Sequence, residues 1–197
     1  MSGVGHDGHA TVVRAGHSRP GRGHRKATTI SDEPFQPSAD ELISHNERYV
    51  AQFHDHDLAL RPARHLAIVT CMDSRMDIFQ MLGLDHGDAH IIRNAGGVVT
   101  DDVIRSLVLS QRQMGTREII LVHHTNCGLQ AINEAEFKAD LEHEVGIKPW
   151  WALECFVDPY TDTRQSINRL QQSPFVQYKD HIRGFVYDVA DGRLHEV

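Results

Sequence analysis

The sequence predicts an α/β fold with a mostly parallel central sheet and flanking helices. Three observations point that way. Apolar runs of strand length recur at residues 65–70, 89–92 and 118–123. Segments with helical periodicity or helix caps lie between and after them, and Gly or Pro punctuates the joins.

Order is expected to begin at Ser38, which with Glu41 forms a capping-box pattern. Leu42, Ile43, Tyr49, Val50 and Phe53 then recur on one helical face. A loop over 54–64 contains Pro62 and a His54-Asp55-His56-Asp57 run that reads as solvated. His65-Leu66-Ala67-Ile68-Val69-Thr70 suits a strand buried on both faces. Residues 77–82 form a short helix ended by Gly83. A second strand, Ala89-His90-Ile91-Ile92, runs into Arg93-Asn94-Ala95-Gly96-Gly97. Thr100 caps a helix over 101–114, with Asp101 and Asp102 at its positive end and Gly115 closing it. Residues 118–123 are the third strand, and helix is expected from Gly128 onward. Residues 142–159 read as irregular, with Trp150 and Trp151 anchoring them to the core or to a partner subunit. A helix over 161–172 stops before Pro174. Residues 184–189 and 193–197 flank a hairpin-like turn at Ala190-Asp191-Gly192.

The 197 residues suit one domain plus a tail. Residues 1–37, rich in Gly, His, Arg, Ser and Thr, read as a disordered basic tail; residues 38–197 form the domain. His6, His9, His17 and His24 lie in that tail at spacings too irregular for a defined metal site. Arg14, Arg19, Arg22, Arg25 and Lys26 against Asp7 give the first 26 residues a net +4 in a chain of −7, which leaves −11 for the rest. A body that acidic is not expected to bind nucleic acid. No apolar run is long enough to cross a bilayer, and residues 1–26 lack the apolar core of a signal peptide, so a cytoplasmic protein is expected. Three cysteines in such a chain read as reduced thiols, and Cys155, without a partner at metal spacing, reads as packing.

Two segments carry the chemistry, both at the carboxyl ends of expected strands: Cys71-Met72-Asp73-Ser74-Arg75 and His124-Thr125-Asn126-Cys127-Gly128. Open α/β sheets bind ligands beyond their strands' carboxyl ends, where strand order reverses. If the first and third strands are neighbours, Cys71, His124 and Cys127 meet there. Two thiolates and one imidazole suit zinc, and three protein ligands leave its fourth position to water. His124 and Cys127, three apart, can turn toward one ion. His123 points to the opposite face by strand alternation and reads as a packed or hydrogen-bonded histidine.

These segments, with Arg93-Asn94-Ala95-Gly96 between them, resemble the β-class carbonic anhydrases over roughly residues 42–197. The resemblance implies a parallel α/β sheet in an obligate homodimer or larger oligomer such as a homotetramer. Residues 38–53 would supply the N-terminal helix that packs across the partner. It also implies that zinc-bound hydroxide hydrates carbon dioxide to bicarbonate, with Asp73 and Arg75 as a catalytic dyad. In some members the aspartate instead takes the fourth zinc position, which adds Asp73 to Cys71, His124 and Cys127 as a metal ligand. Many members carry Gly before the zinc histidine and Cys-Gly-Gly after it. Here His123 precedes and Gly128-Leu129 follows, which resembles a smaller subgroup that also contains carbonyl sulfide hydrolases.

Two other readings compete. Nucleophilic Cys71 with His124 as base leaves Cys127 without a role. A structural or oligomerisation zinc module needs four protein ligands, hence permanent ligation by Asp73. Gly96-Gly97 lacks the glycine fingerprint of a dinucleotide site.

Overall fold

The structure, a computed structural model, describes residues 35–197. The tail histidines and basic residues singled out above therefore lie outside the described residues. Among the described residues, contacts separate a first unit that ends at Gln52 from a second, Phe53–Val197.

In the first unit, helix α1 spans Ala39–Val50 with Ser38 at its N-cap. The expected capping box does not form. Ser38 sits at φ −106°, ψ 4°, outside the extended region from which a cap side chain reaches the first turn, and it makes no side-chain cap bond. The helix also stops before Phe53. No residue of α1 is buried, and Leu42, Ile43 and Val50 are each well exposed.

The second unit contains strands β1 (Leu66–Cys71), β2 (Ala89–Asn94), β3 (Glu118–His124), β4 (Ile182–Tyr187) and β5 (Leu194–Glu196). They form one sheet in the order β2-β1-β3-β4-β5. The first four are parallel and β5 pairs antiparallel with β4. The helices are α2 (Ile78–Leu82), α3 (Asp101–Met114), α4 (Glu134–Val145) and α5 (Pro159–Gln172). The expected mostly parallel sheet with flanking helices is thus the fold.

All six residues of β1 are buried because β2 and β3 flank it and both sheet faces are covered. Strand alternation sorts the core into two layers. Leu66 and Ile68 join Val122, Ile78 and Met76 on one face, whereas Ala67 and Val69 join Ile119 and Leu121 against Val103 and Leu107 of α3 and Leu170 of α5. Local signals fix the helix ends. Asp77 accepts from the Gln80 N–H at the start of α2, and Thr100 accepts from the Val103 N–H at the start of α3. Gly115 ends α3 at φ 76°, a left-handed turn that suits glycine.

Several boundaries differ from expectation. β1 and β3 each run one residue further, to Cys71 and His124, so strand pairing itself carries both residues to the carboxyl end of the parallel strands. Residues Gly128–Ala131 form a 3-10 turn before α4, and irregular chain follows only after Val145. Helix α5 starts at Pro159, with the Asp158 carboxylate capping the Tyr160 and Thr161 N–H groups; proline fits that first turn because it has no N–H to satisfy. Trp150 is 89% exposed, so it does not anchor its segment to the core of this chain. Among the described residues no helix is long and apolar enough to cross a membrane.

Candidate metal centre

β1 lies between β2 and β3, so the chain leaves β1 toward one side of the sheet and returns on the other. The point of reversal is the β1–β3 junction, and Cys71 and His124 are the last residues of those strands. His124 shares the face of Val122 by alternation, the same layer that holds Cys71 and Cys127. Asn126 adopts φ 54°, a left-handed conformation that asparagine tolerates, and this turns the chain back so that Cys127 meets the other two. The ligand atoms of Cys71, His124 and Cys127 all lie within 4.8 Å of one another, and all three residues are buried.

The donor set fits a thiophilic cation. His124 Nδ1 lies 2.9 Å from the Thr125 carbonyl, so Nδ1 carries the proton and Nε2 keeps its lone pair. That Nε2 is buried and has no hydrogen-bond partner. A buried acceptor without a donor, beside two sulfurs, is what a metal would satisfy. The Cys127 thiol beside it pulls the Cys71 thiol down to about 4 against the cost of burial, helped by the backbone N–H groups of Asp73 and Gly96. The same contact, together with burial, pushes Cys127 up, so the pair readily gives up one proton and holds the other. A divalent cation bound there would replace that second proton.

Asp73 and Arg75 flank the three. Arg75 donates to both carboxylate oxygens of Asp73, from Nε to Oδ1 at 2.9 Å and from Nη2 to Oδ2 at 2.7 Å. Its backbone N–H also donates to Oδ1, and Nη2 reaches the Asn126 carbonyl at 2.9 Å, tying the β1 loop to the β3 loop. The Arg75 guanidinium holds the Asp73 carboxyl down at about 2. Asp73 Oδ2 stands 3.7 Å from His124 Nε2, at the edge of the centre.

Behind the centre the backbones come very close. A Cβ on Gly97 would lie 2.8 Å from the Cys71 nitrogen, and Gly97 has φ 72°. Only glycine suits both demands, which accounts for the second glycine after Arg93-Asn94-Ala95. Val98, Leu129 and Phe156 belong to the apolar cluster that contains both cysteines, giving the site a non-polar wall.

His123 is wholly buried on the opposite face, with Nε2 2.7 Å from Asp162 Oδ2 of α5. Cys155 is partly buried against the apolar cluster. In the His54–Asp57 run Asp55 is occupied by His86 at 2.6 Å, and its neighbours are exposed. Arg93, which in the sequence is only the first residue of the Arg93-Asn94-Ala95-Gly96 segment, and Gln130 and Asp162 take roles that the sequence does not assign them. Gln130 accepts from the Cys127 N–H and donates to the Val157 carbonyl, and its place three residues after Cys127 was the one signal available for it. A second group of potential ligands among the described residues, Asp188, Asp191 and His195, is largely exposed at the β4–β5 turn. A cavity of about 1000 Å³ between α3 and α5, walled in part by Ile104, Val108, Leu109 and Phe175, involves none of the centre's residues.

Comparison with known proteins bears on what this centre does. A family model described as carbonic anhydrase matches residues 66–155. β-Carbonic anhydrase 1 of Mycobacterium tuberculosis is 50% identical over 158 residues, 80% of this chain and 96% of that one. A carbon disulfide hydrolase of Acidianus sp. is 36% identical over 68% of this chain and 77% of its own length. The crystal structure of the Streptococcus mutans carbonic anhydrase superposes with a TM-score of 0.77 at 44% identity, covering 83% of this chain and 99% of that one.

Proposed function

This chain belongs to the β-carbonic anhydrases, and from that premise we propose that it hydrates carbon dioxide to bicarbonate at a zinc ion held by Cys71, His124 and Cys127. The observation that carries the reading is the buried, unpartnered Nε2 of His124 beside two thiols, with the Asp73 carboxylate held off it by Arg75. Zinc bound there would lower the pKa of a water toward ~7 and so supply the nucleophile.

The chain's own groups do the rest. Asp73, ionised down to about pH 2, can only accept a hydrogen bond. At the rim of the centre it would accept a hydrogen bond from the attacking oxygen and so leave a lone pair of that oxygen free for the substrate carbon. Arg75 occupies both carboxylate oxygens and fixes that orientation. Its bond to the Asn126 carbonyl sets the spacing between Asp73 and the turn that carries Cys127. The wall of Val98, Leu129 and Phe156 keeps bulk water out and offers a small linear, non-polar molecule favourable contact.

The similarity to a carbon disulfide hydrolase favours a second reading, in which the same residues hydrolyse a sulfur-containing linear molecule, carbonyl sulfide or carbon disulfide. A non-catalytic zinc module requires Asp73 on the metal, and the two-point grip of Arg75 on that carboxylate argues for catalysis instead. Stopped-flow hydration of carbon dioxide on zinc-loaded protein, run beside sulfide release from carbonyl sulfide and carbon disulfide, tests the assignment. A hydration rate equal to buffer from pH 6.5 to 9 would overturn it; sulfide release in its place would establish the second reading.

The apolar stripe of α1, none of it buried, supports self-association into a homodimer or homotetramer. The free thiols support a reducing, cytoplasmic setting.

A further inference from the structure

Arg93 opens the Arg93-Asn94-Ala95-Gly96 segment, and nothing in the reaction described above uses it. It lies on β2, opposite Thr70 of β1. Its guanidinium donates to three carbonyls of one short loop: Nε to Cys71 O at 2.8 Å, Nη2 to Asp73 O at 2.7 Å and Nη1 to Met76 O at 3.1 Å. That loop carries one candidate metal ligand, Cys71, and both members of the Asp73–Arg75 pair. Its other backbone ties are few: the Met72 N–H on the Asn94 carbonyl and the Met76 N–H on the Asp73 carbonyl. On its far side the loop's first peptide rests against Gly97, where even a methyl group would not fit.

We infer that Arg93 is a positioning residue that clamps residues 71–76, so that the Asp73 carboxylate stays on Arg75 and off the metal. The inference rests on the proposed zinc site. The Asp73 side chain is a short lever between two attractions, Arg75 on one side and, on the other, the proposed metal beside His124 Nε2, an atom 3.7 Å from Asp73 Oδ2. Arg93 holds the backbone end of that lever through the Asp73 carbonyl, and holds the loop's two ends through Cys71 and Met76. A planar fork with donors in fixed directions can bond three carbonyls at once. A lysine ammonium has three donors on one atom and cannot span them, so positive charge alone does not replace it.

The test uses full-length zinc-loaded protein carrying Arg93→Lys or Arg93→Ala. Zinc stays at one per chain in both, because the three candidate ligands remain. Turnover falls at least tenfold with little change in KM, since the loop orients the reacting groups and does not form the pocket wall. Amide hydrogen exchange at residues 72–76 quickens while exchange in β1 and β3 stays as it was. Arg93 keeps an exposed edge, so millimolar guanidinium enters the space left in Arg93→Ala and restores part of the rate, which a general loss of stability would not allow. If Arg93→Ala fails to fold, Arg93→Lys carries the test alone. Wild-type turnover and wild-type exchange at 72–76 in Arg93→Lys would overturn the clamp, as would loss of zinc with that exchange unchanged. Exchange is read without substrate, so faster exchange in a protein that does not hydrate carbon dioxide would remove the proposed activity and leave the clamp standing.

Discussion

Asp73 is held by Arg75 through three hydrogen bonds and stands 3.7 Å from His124 Nε2, so a metal bound there would compete for its carboxylate, and that balance would decide whether the metal's fourth position is open. Its folded pKa, about 2, lies below that of an unfolded aspartate. The pair therefore contributes stability that is present above about pH 4 and is lost as pH falls through 2. Across pH 6.5–9 Asp73 does not titrate, so the rise of activity with pH belongs to the nucleophile. Asp73→Asn should keep zinc and the midpoint of that rise but lower its plateau ~10–100-fold, the range seen when a group that orients a metal site is lost. Arg75→Ala frees the carboxylate to close on the metal and should lower hydration by a similar factor, again with zinc retained. Zinc content, melting temperature and the pH–rate profile of both variants read these outcomes. Weakened zinc binding and a lower melting temperature in Asp73→Asn would instead mark a structural four-ligand site.

At the scale of elements, the composition and the surroundings of α1 disagree. Helices of soluble proteins bury their apolar stripe, yet Leu42, Ile43 and Val50 stay exposed on a helix with no buried residue. The proposed self-association would resolve the disagreement. Leu42→Glu with Ile43→Glu should shift the protein toward monomer in sedimentation at micromolar concentration and leave the far-ultraviolet spectrum of the sheet unchanged. An unaltered oligomer would place the interface elsewhere. Deleting residues 1–35 should leave both oligomer and activity intact, because the expected tail ends before α1 begins. Deleting through Phe53 should dissociate or unfold the protein.

For the molecule as a whole, the metal is expected to be part of the fold's energetics. Two thiols and an imidazole are buried together at the carboxyl end of the parallel strands, and a buried acceptor left without a partner costs about 1–3 kcal/mol. Removing zinc with a chelator should lower the melting temperature as well as abolish hydration, and adding zinc back should restore both. X-ray absorption on the loaded protein should give two sulfur neighbours at ~2.3 Å and nitrogen or oxygen at ~2.0 Å. A full complement of zinc in the double variant Cys71→Ser, Cys127→Ser would refute the ligand assignment.

Local physics wrote much of this protein into the sequence by itself. Strand-length apolar runs, the caps at Asp77 and Thr100 and the left-handed glycine at 115 are decided within a few residues, and α3 falls where its caps put it. The candidate cluster was legible too, because Cys71 and the His124–Cys127 pair each directly follow a strand-length apolar run. That they meet was conditional, since it required β1 beside β3, a pairing of residues about fifty positions apart. Tertiary structure alone decided the rest. Arg93 finds its three carbonyls, and His123 finds Asp162 on α5 39 residues later, only once strand register and helix packing are set. The exposed stripe of α1 has the same origin in reverse: periodicity predicts that a face seeks burial, whereas which surface covers it depends on contacts no single segment contains.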